Sequence, residues 1–228
     1  GGTFKDYVPP KEPPAPKERK LLLPEVTENC EEVRKYLQGR GIHPTIIDYC
    51  IANKLLFQTA NYNNALFVGY DSEGKPRYGA LRSTFSAYKS EATGSDKRYS
   101  FSIATNPTAD TVHVFESAID LLSYATLQLY EGGDWKNASM LSLAGVFAPK
   151  RQGVVPVALS RFLNENPNVK TLRLHLDNDE VGHAAAAGIM EGLTGYTVVN
   201  EPPACGKDVN EQLQMKVGLT KKKEDRDR

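Results

Sequence analysis

The chain has 228 residues, 40% of them hydrophobic and 25% charged, a composition ordinary for a water-soluble fold and a length that allows one domain or two small ones. Twenty-eight Lys and Arg balance twenty-eight Asp and Glu, so bulk charge neither announces a nucleic-acid partner nor excludes a locally basic groove. Cys30, Cys50 and Cys205 form no C-x-x-C pair, which argues against a disulfide framework and a structural zinc and in favour of reduced thiols. No apolar run approaches the ~18–20 residues of a membrane span and no signal-peptide stretch is present, so a cytoplasmic protein without membrane contact is expected. The opening Gly1-Gly2 reads as a cloning remnant, and the natural chain is expected to extend upstream.

Residues 1–28 carry Pro9, Pro10, Pro13, Pro14, Pro16 and Pro24 among Lys and Glu, a composition expected to be a linker. Residues 220–228 are a charged tail. Between them, 29–105 hold ten basic and seven acidic side chains and 106–219 hold eight and thirteen, net +3 and −5, which suggests two modules. In the first, Cys30–Leu37 and Pro44–Ala52 read as helices, the second with Pro44 at its first turn. Ala65–Tyr70 and Pro76–Leu81, around the Asp71-Ser-Glu-Gly74 turn, read as a hairpin, and Tyr99–Ile103 as a further strand. This half is expected to be a smaller α+β subdomain.

The second module alternates strand and helix. Strands are expected at Thr111–Phe115, Ser139–Leu143, Thr171–Leu176 and Tyr196–Val199. Helices are expected at Ala118–Tyr130, Pro156–Asn164, Val181–Leu193 and Val209–Met215. That alternation implies an α/β fold with a parallel sheet flanked by helices, in which ligands collect at the carboxyl ends of strands. Two acidic groups fall at such ends. Glu116 follows the first strand, with Asp120 one helical turn on; Asp177 ends the third strand, with Asp179 two residues later. Carboxylates so crowded repel and raise one another's pKa unless a cation lies between them, and an oxygen-only set suits Mg²⁺ or Mn²⁺. Taken singly, each of these acids is explained as a helix cap or a solvated turn residue. Gly206-Lys207-Asp208 brings a further acid and a cation towards the same rim, with Asp208 also a candidate cap; the spacing of a P-loop is absent.

Glu116 and Asp177-x-Asp179, with Ser139–Gly145 between them, resemble the Toprim pattern of a strand-end Glu followed by Asp-x-Asp, found in bacterial primases, topoisomerases and some nucleases. Upstream, Tyr36-Leu-Gln-Gly-Arg-Gly-Ile42 and the stretch from Ala65 through Arg82 to Lys97-Arg98-Tyr99 are similar to the catalytic core of bacterial primases. The region 29–215 as a whole looks like the small primase-like proteins of mobile elements, in which an uncharacterised N-terminal domain precedes a Toprim-like one. The resemblance implies a primase-like nucleotidyltransferase that uses Mg²⁺ or Mn²⁺, single-stranded DNA and nucleoside triphosphates, with replication or mobilisation proteins as partners. It assigns Glu116 as general base or metal-positioning acid and Asp177 and Asp179 as the principal metal ligands, and matches Asp120 and Asp208 to additional acids. Arg82, Lys97, Arg98 and Lys207 would hold template or nucleotide phosphates, or remain ordinary surface charges. Asn210 stands where primases have an Asp, and the primase zinc ribbon has no counterpart here.

Other readings remain. Tyr99 and Phe101 would stack a base or pack inward. His175, on the face of Asp177, would support that acid from behind or simply pack. A non-catalytic Toprim-like module binding nucleic acid or a partner, and a Toprim nuclease, are both compatible with the same acids. Asp177-Asn-Asp179-Glu-Val181 also fits a D-x-D-x-[TV] phosphatase signature, but too little chain follows it for the rest of that domain.

Overall fold

Two strands whose inward residues are all aliphatic or aromatic, β7 (Thr111–Phe115) and β9 (Thr171–His175), lie side by side at the centre of the fold. A computed structural model of the chain describes residues 19–147, 149 and 153–219. Around these two strands are β10 (Thr197–Asn200), β8 (Ser139–Ser142) and β6 (Ser102–Ile103), in the order β10-β9-β7-β8-β6. The first four of these are mutually parallel, and β6 is antiparallel to β8. A second sheet, entirely antiparallel, runs in chain order: β1 (Val26–Thr27), β2 (Leu56–Thr59), β3 (Ala65–Tyr70), β4 (Pro76–Arg82) and β5 (Lys89–Glu91). Helices α1 (Glu31–Gly39) and α2 (Pro44–Ala52) precede β2. Helices α3 (Ala118–Tyr130), α4 (Val157–Glu165), α5 (Glu180–Gly192) and α6 (Val209–Lys216) alternate with the parallel strands.

Period-two alternation sends the side chains of one strand to opposite faces. Val112, Val114, Leu172 and Leu174 pack under α4 and α5 with Leu159, Phe162 and Ile189. Phe115 and Met140 face the other way, against Ile119, Leu122 and Ala125 of α3. The expected α/β sheet covered on both faces is therefore the one observed, as is the antiparallel hairpin of the N-terminal region. In that hairpin the Asp71 carboxylate accepts the backbone N–H groups of Glu73 and Lys75, both at 3.0 Å, and Gly74 supplies the positive φ of +79°.

Several expectations are corrected. The end of the anticipated linker is structured: Val26–Thr27 pairs with β2, and Leu22 bridges to Thr93. The rest of it, 1–18, and the tail 220–228 lie outside the described residues. The strand expected over Tyr99–Ile103 shrinks to Ser102–Ile103, because the Asp96 carboxylate accepts the Arg98 N–H at 3.0 Å and starts a single 3₁₀ turn over Lys97–Tyr99. Phe101 is buried edge-on against Phe67, with ring centroids 5.5 Å apart, so it packs inward and offers no face to a base. Tyr99 lies among the guanidinium groups of Arg77, Arg161 and Arg98, at 4.7, 5.1 and 5.5 Å.

The two modules are also less separate than their charge suggested. Val33, Leu37, Ile46 and Ile47 of α1 and α2 share one cluster with Phe115 of β7 and Ile119 and Leu122 of α3, and β6, from the N-terminal region, adds an edge strand to the sheet of β7 and β9. A common core couples their unfolding. Leu37→Ala, at a fully buried position in the N-terminal helix, is expected to lower stability by about 2–5 kcal/mol and to shift one cooperative calorimetric transition rather than split it.

Candidate functional site

Register decides which acids meet. Phe115 is paired with His175 across the parallel β7–β9 ladder, so the chain leaves both strands at the same end, carrying Glu116 and Asp177 out of the sheet together. The Asp177 N–H donates to Glu116 Oε1 at 3.2 Å, which ties the two strand ends to each other. Gly182 is what lets α5 start this close: a Cβ there would sit 2.2 Å from the Asp177 carbonyl oxygen. On the first turn of α3, Ser117 caps the helix by accepting the Asp120 N–H at 3.2 Å and donates its hydroxyl back to Asp120 Oδ2 at 2.7 Å. Asp120 is thereby held, almost wholly buried, beneath the strand ends.

These carboxyls disturb one another. Burial, followed by the charges of Glu116, Asp120, Asp208 and Asp179, pushes Asp177 up to about 8. Burial and Asp208 raise Asp120 to about 6, against hydrogen bonds from Ser117 and Asn210 and the charge of Arg82. Glu116 is raised by burial and by Asp179 and Asp120, with the Asp177 backbone and side-chain hydrogen bonds opposing the shift. The acids predicted from the two strand ends thus do converge. Glu116, Asp120 and Asp177 line one cleft of about 570 Å³ together with Asp208, Lys207, Arg82, Ala144 and Gly145, while Asp179 stands outside that lining.

The helix-cap reading holds as well for two of the acids. Asp179 Oδ1 accepts the Gly182 N–H, and Asp208 Oδ1 the Glu211 N–H, each at 2.7 Å, so each carboxylate keeps its second oxygen. Asp179 Oδ2 lies 3.7 Å from Lys207 Nζ. Among the described residues, no three acid, His or Cys side chains stand close enough to enclose an ion unaided. The donor set nevertheless fits Mg²⁺ or Mn²⁺, which take one or two carboxylates and complete their octahedra with water and substrate phosphate. A cluster whose acids are driven towards protonation by burial and then by mutual repulsion is the electrostatic counterpart of such a cation.

The cations divide by position. Arg82 and Lys207 line the cleft. Lys97 reaches its edge, donating from Nζ to the Ala144 carbonyl at 3.1 Å while pairing with Glu91 at 2.9 Å. Arg98 is held through two nitrogens by the Asp96 carboxylate, away from the cleft lining. His175 is packed rather than aimed at Asp177: it is buried, stacked on Phe115 and His113, with Nε2 2.8 Å from His113 Nδ1.

Two cleft cations, Arg40 and Lys89, escaped the sequence reading. Arg40, at the end of α1, donates from Nε and Nη2 to Asn210 Oδ1 at 3.0 and 2.8 Å. Asn210 returns Nδ2 hydrogen bonds to the Arg40 carbonyl and Ser123 Oγ, and its own N–H donates to Asp120 Oδ1 at 3.1 Å. The residue noted only as an unusual Asn is thus a buried bridge whose two amide donors both have acceptors, which a carboxylate could not reproduce. Arg40 lies inside the quoted Tyr36–Ile42 segment, so the signal was present without a partner to give it meaning.

Residues 113–213 match the Toprim-like family. The chain carries a Toprim-like domain. Residues 35–106 match a second family, described as a protein of unknown function (DUF3991), so the Toprim-like domain is preceded by an uncharacterised domain, as expected from the motifs. An uncharacterized protein of Bacillus anthracis is 31% identical over 163 residues, covering 68% of this chain and 45% of that protein, so the chain spans less than half of that relative. The RNA polymerase domain of the Mycobacterium tuberculosis primase aligns with TM-score 0.54 and 16% identity over 85% of this chain and 74% of that one. The primase fragment of the bacteriophage T7 primase-helicase aligns with TM-score 0.53 and 16% identity over 80% and 69%. A primase catalytic domain solved with single-stranded DNA gives TM-score 0.53 and 12% identity over 83% and 71%. At such identities the likeness is one of fold: the Toprim-like domain and its N-terminal companion share the architecture of primase catalytic cores.

Crowding of the Toprim-like acids has a measurable cost in the metal-free protein. Asp177 is raised from 3.8 to about 8, so the folded state binds a proton more tightly than the unfolded one, and stability falls as pH rises across that interval. Asp177→Asn is expected to raise the melting temperature in chelator at pH 8 by about 2–4 °C, partial exposure having moderated the effect, with the gain fading towards pH 4. Thermal denaturation of both proteins across that range checks it.

Proposed function

We propose that the protein is a divalent-metal-dependent, primase-like nucleotidyltransferase acting on single-stranded DNA in the cytoplasm, in the replication or transfer of a mobile element. The observation that carries this reading is the meeting of Glu116 and Asp177 at adjoining strand ends, under a cleft that also exposes Arg82, Arg40 and Lys207. Asp177 and Glu116 would hold Mg²⁺ or Mn²⁺, with the outward oxygens of Asp179 and Asp208 as outer partners. When bound, the metal neutralises a triphosphate and makes a primer hydroxyl more acidic. Glu116, with one oxygen fixed by the Asp177 N–H, would orient that hydroxyl or accept the proton from its 3′ oxygen. Asp120 holds the α6 end in place through the Asn210 N–H. Arg82 and Lys207 would bind substrate phosphates, and Arg40, hydrogen-bonded to the Asn210 amide, would add a third cation.

A second reading, a non-catalytic Toprim-like module that binds nucleic acid, is favoured by one observation: Asp179 and Asp208 each commit an oxygen to a helix cap, and Asn210 replaces a carboxylate with a fully bonded amide. Incorporation of labelled ribo- or deoxynucleotides on a single-stranded template in Mg²⁺ separates the two. The transferase reading predicts incorporation that falls by at least about 100-fold in Glu116→Gln and in Asp177→Asn. Absence of incorporation with DNA binding intact would support the module, and template cleavage in the same mixture would support a nuclease.

A further inference from the structure

A second cavity of about 490 Å³ opens on the N-terminal sheet, outside the acidic cleft, and lies within the usual size range of small-molecule pockets. Three aromatic rings stand around it with their faces largely in solvent: Tyr62 is 76% exposed, Phe85 75% and Tyr88 57%. Rings of this size seldom gather on a surface without a partner. Local structure holds them outward. Tyr62 and its successor Asn63 both take left-handed backbone conformations, φ 66° and 51°, at the β2–β3 turn. Ser83 Oγ accepts the N–H groups of Phe85 and Ser86 at 3.2 and 3.1 Å, which folds the tip of the β4–β5 hairpin.

The walls between the rings select the ligand's chemistry. They carry the amides of Asn61 and Asn64 and small hydroxyls, and among the described residues their one charge is Glu25. A phosphate would be repelled there, whereas a neutral planar heterocycle gains both ring faces and hydrogen-bonding edges. The β4–β5 register then connects this cavity to the cleft. Leu81 lines both; Arg82 is paired with Lys89 one step along, and both of these cations line the acidic cleft; Ser83 and Tyr88 come next and line the aromatic cavity. Cations therefore separate two cavities of different chemistry along one hairpin, the spacing of features that a sugar-phosphate chain with splayed bases requires.

From this arrangement we infer that Tyr62, Phe85 and Tyr88 form a base-stacking site for an unpaired nucleotide of the single strand whose backbone crosses Arg82 and Lys89 into the cleft. The inference rests on the nucleic-acid reading of that cleft and adds a contact outside it. The aromatic rings supply affinity without phosphate contact, so their removal leaves the salt dependence of binding intact.

The test uses fluorescent oligo(dT) of about 16 nucleotides and the same strand carrying one 2-aminopurine. Tyr62→Ala, Phe85→Ala and Tyr88→Ala are each expected to weaken binding roughly tenfold, with the slope of affinity against salt unchanged and the 2-aminopurine quenching reduced. Arg82→Ala is expected to flatten that slope instead. Because all three rings are exposed, unchanged melting temperatures confirm that the variants fold. A folded triple variant with wild-type affinity overturns the inference, as does a wild-type protein that binds no strand. So does binding of a synthetic peptide of the proline-rich residues 7–18 at the rings with no effect of the rings on DNA. Nucleotide incorporation measured alongside keeps the two proposals apart: incorporation without ring dependence defeats the stacking site alone, and ring-dependent binding without incorporation defeats the transferase reading alone.

Discussion

Repulsion between carboxylates that the backbone forces together is the constraint around which this fold is arranged. Parallel pairing of Phe115 with His175 leaves no freedom over where Glu116 and Asp177 emerge, and the Asp177 N–H closes the last gap between them. A protein under selection for stability alone would not keep Asp177 where its pKa rises to about 8, with Asp120 buried below it at about 6. The strain is compensated locally by hydrogen bonds from Ser117 and Asn210 and by the charge of Arg82. Sites where acids are held against their preference mark chemistry more often than packing.

Much of the surrounding structure serves to keep that cluster rigid. Asn210 ties α6 to α3 and to the end of α1, so the Toprim-like domain and the preceding helix pair are joined by polar bonds directly under the acids. The same helices bury Leu37, Ile46 and Ile47 against Phe115 and Ile119. Movement of the N-terminal region relative to the cleft would break both the amide bridge and the apolar contact. The cleft's cations, Arg40, Arg82, Lys89 and Lys207, line the same cavity as the acids. Fixed dipoles and charges aimed at a developing charge need no reorganisation when a substrate arrives.

The sequence made the site's skeleton legible because its signals are local. Alternating Val112 and Val114, then Leu172 and Leu174, mark buried strands, and Ser117, Asp179 and Asp208 mark helix starts through their caps. The cap reading of Asp179 and Asp208 is the part the structure shows: one oxygen of each accepts a helix-start N–H. What stayed hidden depended on distant partners. Val26–Thr27 becomes a strand only because β2 is beside it, and Tyr99 leaves the strand pattern because Asp96 and three arginines hold it elsewhere. Arg40 and Asn210 are 170 residues apart and acquire roles only through each other. Tyr62, Phe85 and Tyr88 are scattered polar-region aromatics in the sequence, brought to one cavity by two adjacent turns.

The account depends on a hard cation binding between the ends of β7 and β9, and anomalous diffraction from crystals soaked in Mn²⁺ tests that directly. It predicts a peak within metal–oxygen distance, about 2.1 Å, of the Asp177 carboxylate and adjacent to Glu116, lost in Asp177→Asn crystals treated identically. A clean map at that position, with Glu116 and Asp177 turned apart and Mn²⁺ bound elsewhere or not at all, would contradict it.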